Sequence, residues 1–532
     1  MRKSRKAFAI ILAVMLAAAM LAGCSGGNGN NGEKSANSGN TGSAAKTDNN
    51  GETVKDNAKD KKLEKFVSLK FYFPHGGGDP KDLKVVQDEI NKYMKEKINA
   101  SLELVPLDWA VWGDKSTLIL QSGEQADIIW TANWNNYYSN VARGAFLALD
   151  DYIDEYAPVL KDPTHMNPIF LQGARVKGKI YGLPTNKEIT QPGALYFRKD
   201  LVDKYKMDVS TIKYLTDLEP FLKTIKDNEK GVTPLFGADV SWFKRVNPAW
   251  DEERSQYADI PGIGFAAIDL KAGKAVNYYT RKSRIDHYKT MHKWYEDGYI
   301  NKDVATNKTP LDQVIKAGKA WIHGSTGQPG QLEYWTSVLG PVVQVQDNVV
   351  VADTNSVTGS MIAVNANTEN PERAVMAINM MYSDPVLVNL INFGFEGKHY
   401  KTLEDGRLGP PDGAKTWEES PYSLDIQWEF GDMFLNKLKD YNLADQFDQL
   451  KKLNETVEVS PLLGFVFDPE LVKAEVAAIT SVEKEIVDGL KKGVIPVDES
   501  IAKLTQRMEA NGLQKVMDEI DKQYNAWLSA KK

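Results

Sequence analysis

Between residues 67 and 130 the chain alternates strand and helix signals, and that order restricts its fold more than any other feature. "VSLKFYF" (67–73) alternates in polarity and is rich in β-branched and aromatic residues, which predicts a strand. "PHGGGDP" then turns the chain. Asp79 is the expected helix cap, with Pro80 at the first position. Val86, Ile90, Tyr93 and Lys97 mark one face of that helix, which runs to about Ile98. "ASLELVPL" (100–107) and "ADIIW" (126–130) read as two further strands. Strand, helix, strand, helix, strand is the pattern of a parallel sheet covered by helices.

The pattern resumes after about residue 190. "ALYFRKDLVDKY" (194–205) reads as strand into helix. "TDLEPFLKTIKDNEKG" (216–231) reads as a helix with a capping box of Thr216 and Glu219, closed by Gly231. "TPLFGADVSW" (233–242) predicts a buried strand and loop, and "SRIDHYKTMHKWYEDG" (283–298) a helix capped by Ser283. Strands are expected at 319–324 and 358–364. A helix begins at Asn370 and Pro371, and helices dominate after 431. Breaks near 182–192 and 347–357 divide the text into two α/β halves that the chain crosses between more than once. A chain of 532 residues also exceeds one ordinary core. The expected division is a first lobe of 66–185 plus about 353–415, and a second of about 186–352 plus 416–532. The second includes a helical region from about 440.

The N-terminus adds an address. "MRKSRK" is basic, "AFAIILAVMLAAAML" is apolar but short for a membrane span, and "LAGC" follows. Residues 1–23 therefore read as a cleaved secretory signal. Cys24 is the only cysteine, which excludes an intramolecular disulfide and a Cys-based metal cluster. Residues 25–65 contain no aromatic residue and cannot bury enough apolar surface to order. As a flexible tether they span about 35 Å root-mean-square. The formal net charge is −7, which argues against nucleic acid as a partner, since phosphate binding needs a basic footprint.

Candidate binding residues gather at strand ends. Trp109, Trp112, Trp130 and Trp134 follow two predicted strands, with Asn133, Asn135 and Asn136 among them. Flat aromatic walls with a few polar groups suit a small-molecule site, and aromatic faces stack on the C–H faces of sugars. Asp239, Trp242, Ser325 and Trp335 are the expected opposing wall. No HExxH, GxGxxG, P-loop, GxSxG or EF-hand pattern occurs, so no metal and no cofactor is expected. "NFGFEGKHY" (392–400) places Glu396 and His399 three residues apart. Gly394 and Gly397 suit a sharp change of direction between lobes, which favours a joint there, or a cleft-lining Glu396, over a catalytic centre.

Several stretches carry a family resemblance: "LAGC", "IYGLPTNKE" (180–188), "LYFRKDLVDKY" (195–205), "GKAWIHG", "NFGFEGKHY", and "SPLLGFVFDPELVKAEVAAITSV" (460–482) through "GLQKVMDEIDKQYNAWL" (512–528). The chain resembles extracellular solute-binding lipoproteins of bacterial carbohydrate ABC transporters, of the LipO/LplA-like kind with that family's C-terminal domain of unknown function. The resemblance implies a two-lobed α/β fold of the periplasmic-binding-protein type II, with hinge segments and a ligand cleft. It implies acylation of Cys24, and a place on the extracellular face of the cell membrane of a Gram-positive type bacterium. The implied partners are a sugar or oligosaccharide, permease subunits and the membrane, with the protein itself a monomer and not an enzyme. Thr131, Asn133 and Trp134 fall where maltose-type relatives contact sugar, although the residue types differ. Asp239 and Trp242 match an acidic–aromatic wall, and Trp428 a late stacking aromatic. Two other readings remain at this stage: a secreted carbohydrate-active enzyme using Glu396, and an adhesion or scaffold lipoprotein.

Overall fold

The computed structural model describes residues 63–76 and 78–531. The expected signal segment, Cys24 and the tether up to residue 62 lie outside the described residues. The chain runs through β1 (Val67–His75), α1 (Leu83–Ile98), β2 (Ala100–Asp108), α2 (Trp109–Ser122), β3 (Ile128–Thr131) and β4 (Leu183–Pro184). It continues through β5 (Gly193–Arg198), β6 (Tyr257–Ile260), β7 (Ile263–Asp269), β8 (Lys274–Asn277), α3 (Lys282–Glu296), β9 (Ile322–Thr326), α4 (Gln331–Leu339) and β10 (Val342–Gln346). It ends with β11 (Met361–Val364), α5 (Pro371–Ser383), α6 (Pro385–Phe393), α7 (Lys473–Lys491), α8 (Val497–Ala510) and α9 (Leu513–Ala530).

The first lobe is a five-stranded sheet in the order β2-β1-β3-β11-β4. β1 pairs in parallel with β2 from Val67↔Ala100 to His75↔Asp108, and with β3 at Phe71↔Ile128. β11 returns antiparallel, matching Met361 to Thr131 and Val364 to Ile128. Phe71, Phe73, Leu102 and Ile128 are fully enclosed between sheet and helices. Each such side chain stabilises the lobe by about 1.5–3 kcal/mol of removed apolar surface.

The second lobe has two cores. One surrounds the antiparallel sheet β9-β5-β10. The other joins the antiparallel sheet β8-β7-β6 to the C-terminal helices α7, α8 and α9. α3 lies between them, giving Met291 and Trp294 to the first core and Tyr288 to the second.

Three segments cross between lobes. In 185–192, Asn186 N–H donates to the Gly431 carbonyl at 2.9 Å and its own carbonyl accepts from Met433 N–H at 3.0 Å. In 347–357, Asp347 Oδ1 accepts from Gly193 N–H at 3.0 Å, and its Oδ2 accepts from Lys244 N–H at 2.6 Å. The third returns after residue 431, where Glu458–Val459 pairs in parallel with Val351–Ala352. Gly193 is required at this crossing, since a Cβ there would stand 1.8 Å from the Trp242 carbonyl oxygen.

Several local expectations are corrected. Asp79 is not the cap of α1; Asp82 holds that position, and its carboxylate is engaged by Lys398 at 2.7 Å and His399 at 3.3 Å. Thr216 and Glu219 form no capping box. A 3-10 turn covers Leu215–Leu218, Asp217 accepts from Tyr214 N–H at 2.8 Å, and the helix is Glu219–Asn228. Ser283 lies inside α3, buried against Glu253, instead of capping it. The stretch 233–242 forms a 3-10 turn at Phe236–Ala238 with isolated bridges in place of a strand. Tyr422, Leu424, Ile426 and Phe430, expected in the second lobe, pack into the first-lobe core.

Candidate functional site

The site grows from strand ends. Asp108, at the end of β2, accepts from Ala110 N–H at 2.8 Å and starts α2, which places Trp109 at the sheet's carboxyl edge. β3 ends at Thr131, and the loop beyond it carries Asn133 and Trp134. Trp428 arrives from the late segment that completes the first lobe. The four rings converge. Trp109 stacks on Trp428 at 6.1 Å and 10°, and on Trp134 at 5.9 Å and 24°. Trp130 lies beneath, edge-on to Trp109 at 5.4 Å and to Trp134 at 5.3 Å.

Exposure separates their roles. Trp130 is 1% exposed and donates its indole N–H to Ser360 Oγ at 2.8 Å; Trp112 is equally buried. Trp109 is 36% exposed and Trp134 56%. Trp134 is oriented by its indole N–H, which donates to the Gly359 carbonyl at 2.8 Å. Asn133 is tied to the crossing segment, its amide donating to Thr358 Oγ1 at 2.9 Å and to the Asn355 carbonyl at 2.5 Å. A buried indole therefore supports two part-exposed ones, of which Trp134 is the more open.

Asn133 and Trp134 line a cavity of about 830 Å³ that reaches from the first lobe, past crossing residues Asp353 and Asn355, into the second lobe. There its wall includes Lys244, Tyr257, Arg281, Arg284 and, from α7, Glu483. Cavities of roughly 300–1,000 Å³ accept small-molecule ligands. The wall residues from β6 to α3 and from α7 are absent from the sequence reading. The stretch "NYYTRKSR" (277–284), dense in aromatic and basic residues, is the signal that could have found them.

The other expected residues sit elsewhere. Asp239 is half-buried, its Oδ2 accepting from Gly324 N–H at 3.2 Å, and burial raises its carboxyl above the usual range. Ser325 is in β9 beside it, and Trp242 is 49% exposed on the loop before Phe243. Trp335 is packed more than displayed, with its ring 4.0 Å from His323 and 6.1 Å from Tyr196. None of these four lines the 830 Å³ cavity.

Glu396 is corrected as a cleft residue. It is exposed, and its Oε1 accepts from Thr402 N–H at 3.1 Å within an outer turn. His399 is fully buried, with Nδ1 accepting from Phe395 N–H at 3.1 Å. Gly394 ends α6 with φ 72°, and a Cβ there would meet His399 Nδ1 at 2.4 Å. "NFGFEGKHY" is a bend, but within the first lobe and not between lobes: it ties the end of α6 to Asp82 at the start of α1, and both helices pack into the first-lobe core. Among the described residues no group of three His, Cys, Asp or Glu converges as a metal site requires.

Comparison with known proteins agrees with this architecture. Residues 77–386 match the model for bacterial extracellular solute-binding proteins, and residues 461–529 match a domain of unknown function (DUF3502). A carbohydrate ABC transporter substrate-binding protein of Streptococcus pneumoniae is 29% identical over 467 residues, 86% of this chain and 90% of that protein. Lipoprotein LipO of Bacillus subtilis is 24% identical over 59% of this chain and 56% of its own length. The crystal structure of the N-glycan transport solute-binding protein NgtS from Streptococcus pneumoniae superposes with a TM-score of 0.76, at 26% identity over 88% of this chain and all of that one. The same protein complexed with Man5GlcNAc gives 0.68, at 27% identity over 88% of this chain and all of that one. The chain belongs to the bacterial extracellular solute-binding protein family, and carries the DUF3502 module as the helical end of its second lobe.

Proposed function

We propose that this protein captures an oligosaccharide between its lobes and delivers it to the permease subunits of an ABC transporter. The observation that carries the reading is the aromatic platform. Trp109, Trp134 and Trp428 lie nearly parallel, and Trp134 opens onto the interlobe cavity. Ligand held against this platform and touched by the second lobe binds the closed arrangement more tightly, and so shifts the hinge toward it. The three crossing segments, pinned at Gly193–Asp347 and Asn186–Gly431, are where such a motion is absorbed.

Acylation at Cys24 would hold the protein on the outer face of the membrane, a reading supported by "LAGC" and by the lipoprotein relative. The protein acts as a monomer, without enzymatic turnover. Titration calorimetry of the mature protein against manno-, gluco- and galacto-oligosaccharides tests the reading. Saturable binding of at least one oligosaccharide is expected. Binding of a peptide with no response to any sugar would overturn it.

A further inference from the structure

We propose that the second-lobe end of the interlobe cavity is a subsite for a negatively charged sugar substituent, a carboxylate or a sulfate, with Arg284 as its charge partner. This subsite presupposes that the cavity holds an oligosaccharide. Two arginines of one helical turn face this space, and they differ. Arg281 is paired, with Glu253 at 3.3 Å and Asp259 at 3.2 Å. Arg284 lies over the Tyr278 ring at 4.7 Å, and among the described residues no carboxylate comes within ion-pair distance of it. Its Nε is enclosed without a hydrogen-bond acceptor. Glu253 and Asp259 act on it only from a distance, since both are engaged by Arg281, and Glu253 also by Ser283. A guanidinium whose Nε is enclosed without an acceptor is costly, and its fork matches the geometry of a carboxylate or sulfate.

The surroundings fit the same ligand. His287, one turn along α3, also lines the cavity, and its Nδ1 is enclosed without a partner. Burial and the charge of Arg284 push its pKa down to about 3, so a neutral imidazole faces the space. Lys491, at the end of α7, adds a further cation to the cavity wall, and its charge acts on both His287 and Glu483. Glu483 accepts from the Tyr279 hydroxyl at 2.5 Å, and among the described residues it forms no ion pair with Arg284. Glu483 and Lys491 both belong to the DUF3502 module, which thereby closes the charged end of the ligand cavity.

The test uses the mature full-length protein and a glycan array of matched acidic and neutral pairs. These include sialyllactose with lactose, sulfated lactose with lactose, and uronic-acid oligosaccharides with their reduced forms. Calorimetry follows on the pairs that bind. The acidic member is expected to bind about tenfold or more tightly, as a charge-assisted bidentate contact provides. That advantage shrinks as salt rises from about 0.05 to about 0.5 M. Arg284→Met is expected to bring the acidic-to-neutral affinity ratio close to one, whatever it does to the neutral affinity itself, and the sialyl, uronic and sulfated arms distinguish the anion. Equal or tighter binding of the neutral members by the wild type overturns the subsite and leaves sugar capture standing. Binding to none of the sugars overturns both. The wild-type comparison decides the matter even if Arg284→Met fails to fold.

Discussion

Two tryptophans in contact predict opposite phenotypes. Trp130→Ala removes an indole that is 1% exposed and packs against Trp109, Trp112, Trp134 and Trp428. It also leaves Ser360 Oγ without its indole donor, although that hydroxyl keeps its own bond to the Glu429 carbonyl at 3.0 Å. A buried Trp→Ala of this kind costs about 3–5 kcal/mol, and the four ring contacts place it near the upper end. Trp134→Ala removes a ring that is 56% exposed, with two aromatic neighbours, so its stability cost is about 1 kcal/mol. Its cost in binding is larger. A central aromatic anchor is worth about 2 kcal/mol, close to thirtyfold in affinity. Urea denaturation followed by near-ultraviolet circular dichroism, with calorimetry of the best-binding oligosaccharide, reads both effects. The reasoning fails if Trp134→Ala binds as wild type does, or if it unfolds as readily as Trp130→Ala.

Three further perturbations separate joint, surface and buried acid. Gly394→Ala forces a Cβ against the buried His399 ring at positive φ, and strain plus crowding lower stability by about 3 kcal/mol, read as a shifted denaturation midpoint. Glu396→Gln leaves ligand affinity within about twofold of wild type by calorimetry, because the residue is exposed and bonded only within its own turn. Glu429 is 1% exposed, its Oε2 has no partner, and burial raises its carboxyl well above the ordinary value of 4.5. Folded, it keeps its proton where the unfolded chain has lost it. Stability therefore falls as pH rises above the unfolded value, by up to about 1.4 kcal/mol per unit from this group. Glu429→Gln is expected to be more stable than wild type at pH 7 and to flatten that slope; an unchanged slope between pH 5 and 8 would refute it.

The first lobe is largely legible in the sequence because β3 and much of β1 are buried on both faces, while β2 is buried on one, and all three announce themselves as β-branched and aromatic runs of strand length. β4 is two residues long and joins the sheet only through β11, so no local pattern specifies it. β6, β7 and β8 escape the sequence reading, although Gly262 and Gly273, both at positive φ, mark the turns of that meander. Caps are misplaced where a long-range partner wins. Asp82 answers Lys398 and His399, and Ser283 answers Glu253, and neither partner is visible along the sequence. The aromatic platform is legible as a cluster at strand ends. Which indoles pack and which face the cavity is not, because that depends on Trp428, 319 residues after Trp109, stacking beside it. Glu396 misleads for a related reason: the bend is legible in its glycines, but its carboxylate turns outward to Thr402.

The most direct measurement is a crystal structure of the mature protein with a bound oligosaccharide taken from the calorimetric panel. The account predicts sugar rings against Trp134 and Trp109, second-lobe contacts from the Tyr257–Arg284 wall, and the two lobes turned toward each other about the segments at Gly193 and Asn186. A ligand seated outside this cavity, or a bound ligand with the lobe angle unchanged, would contradict it.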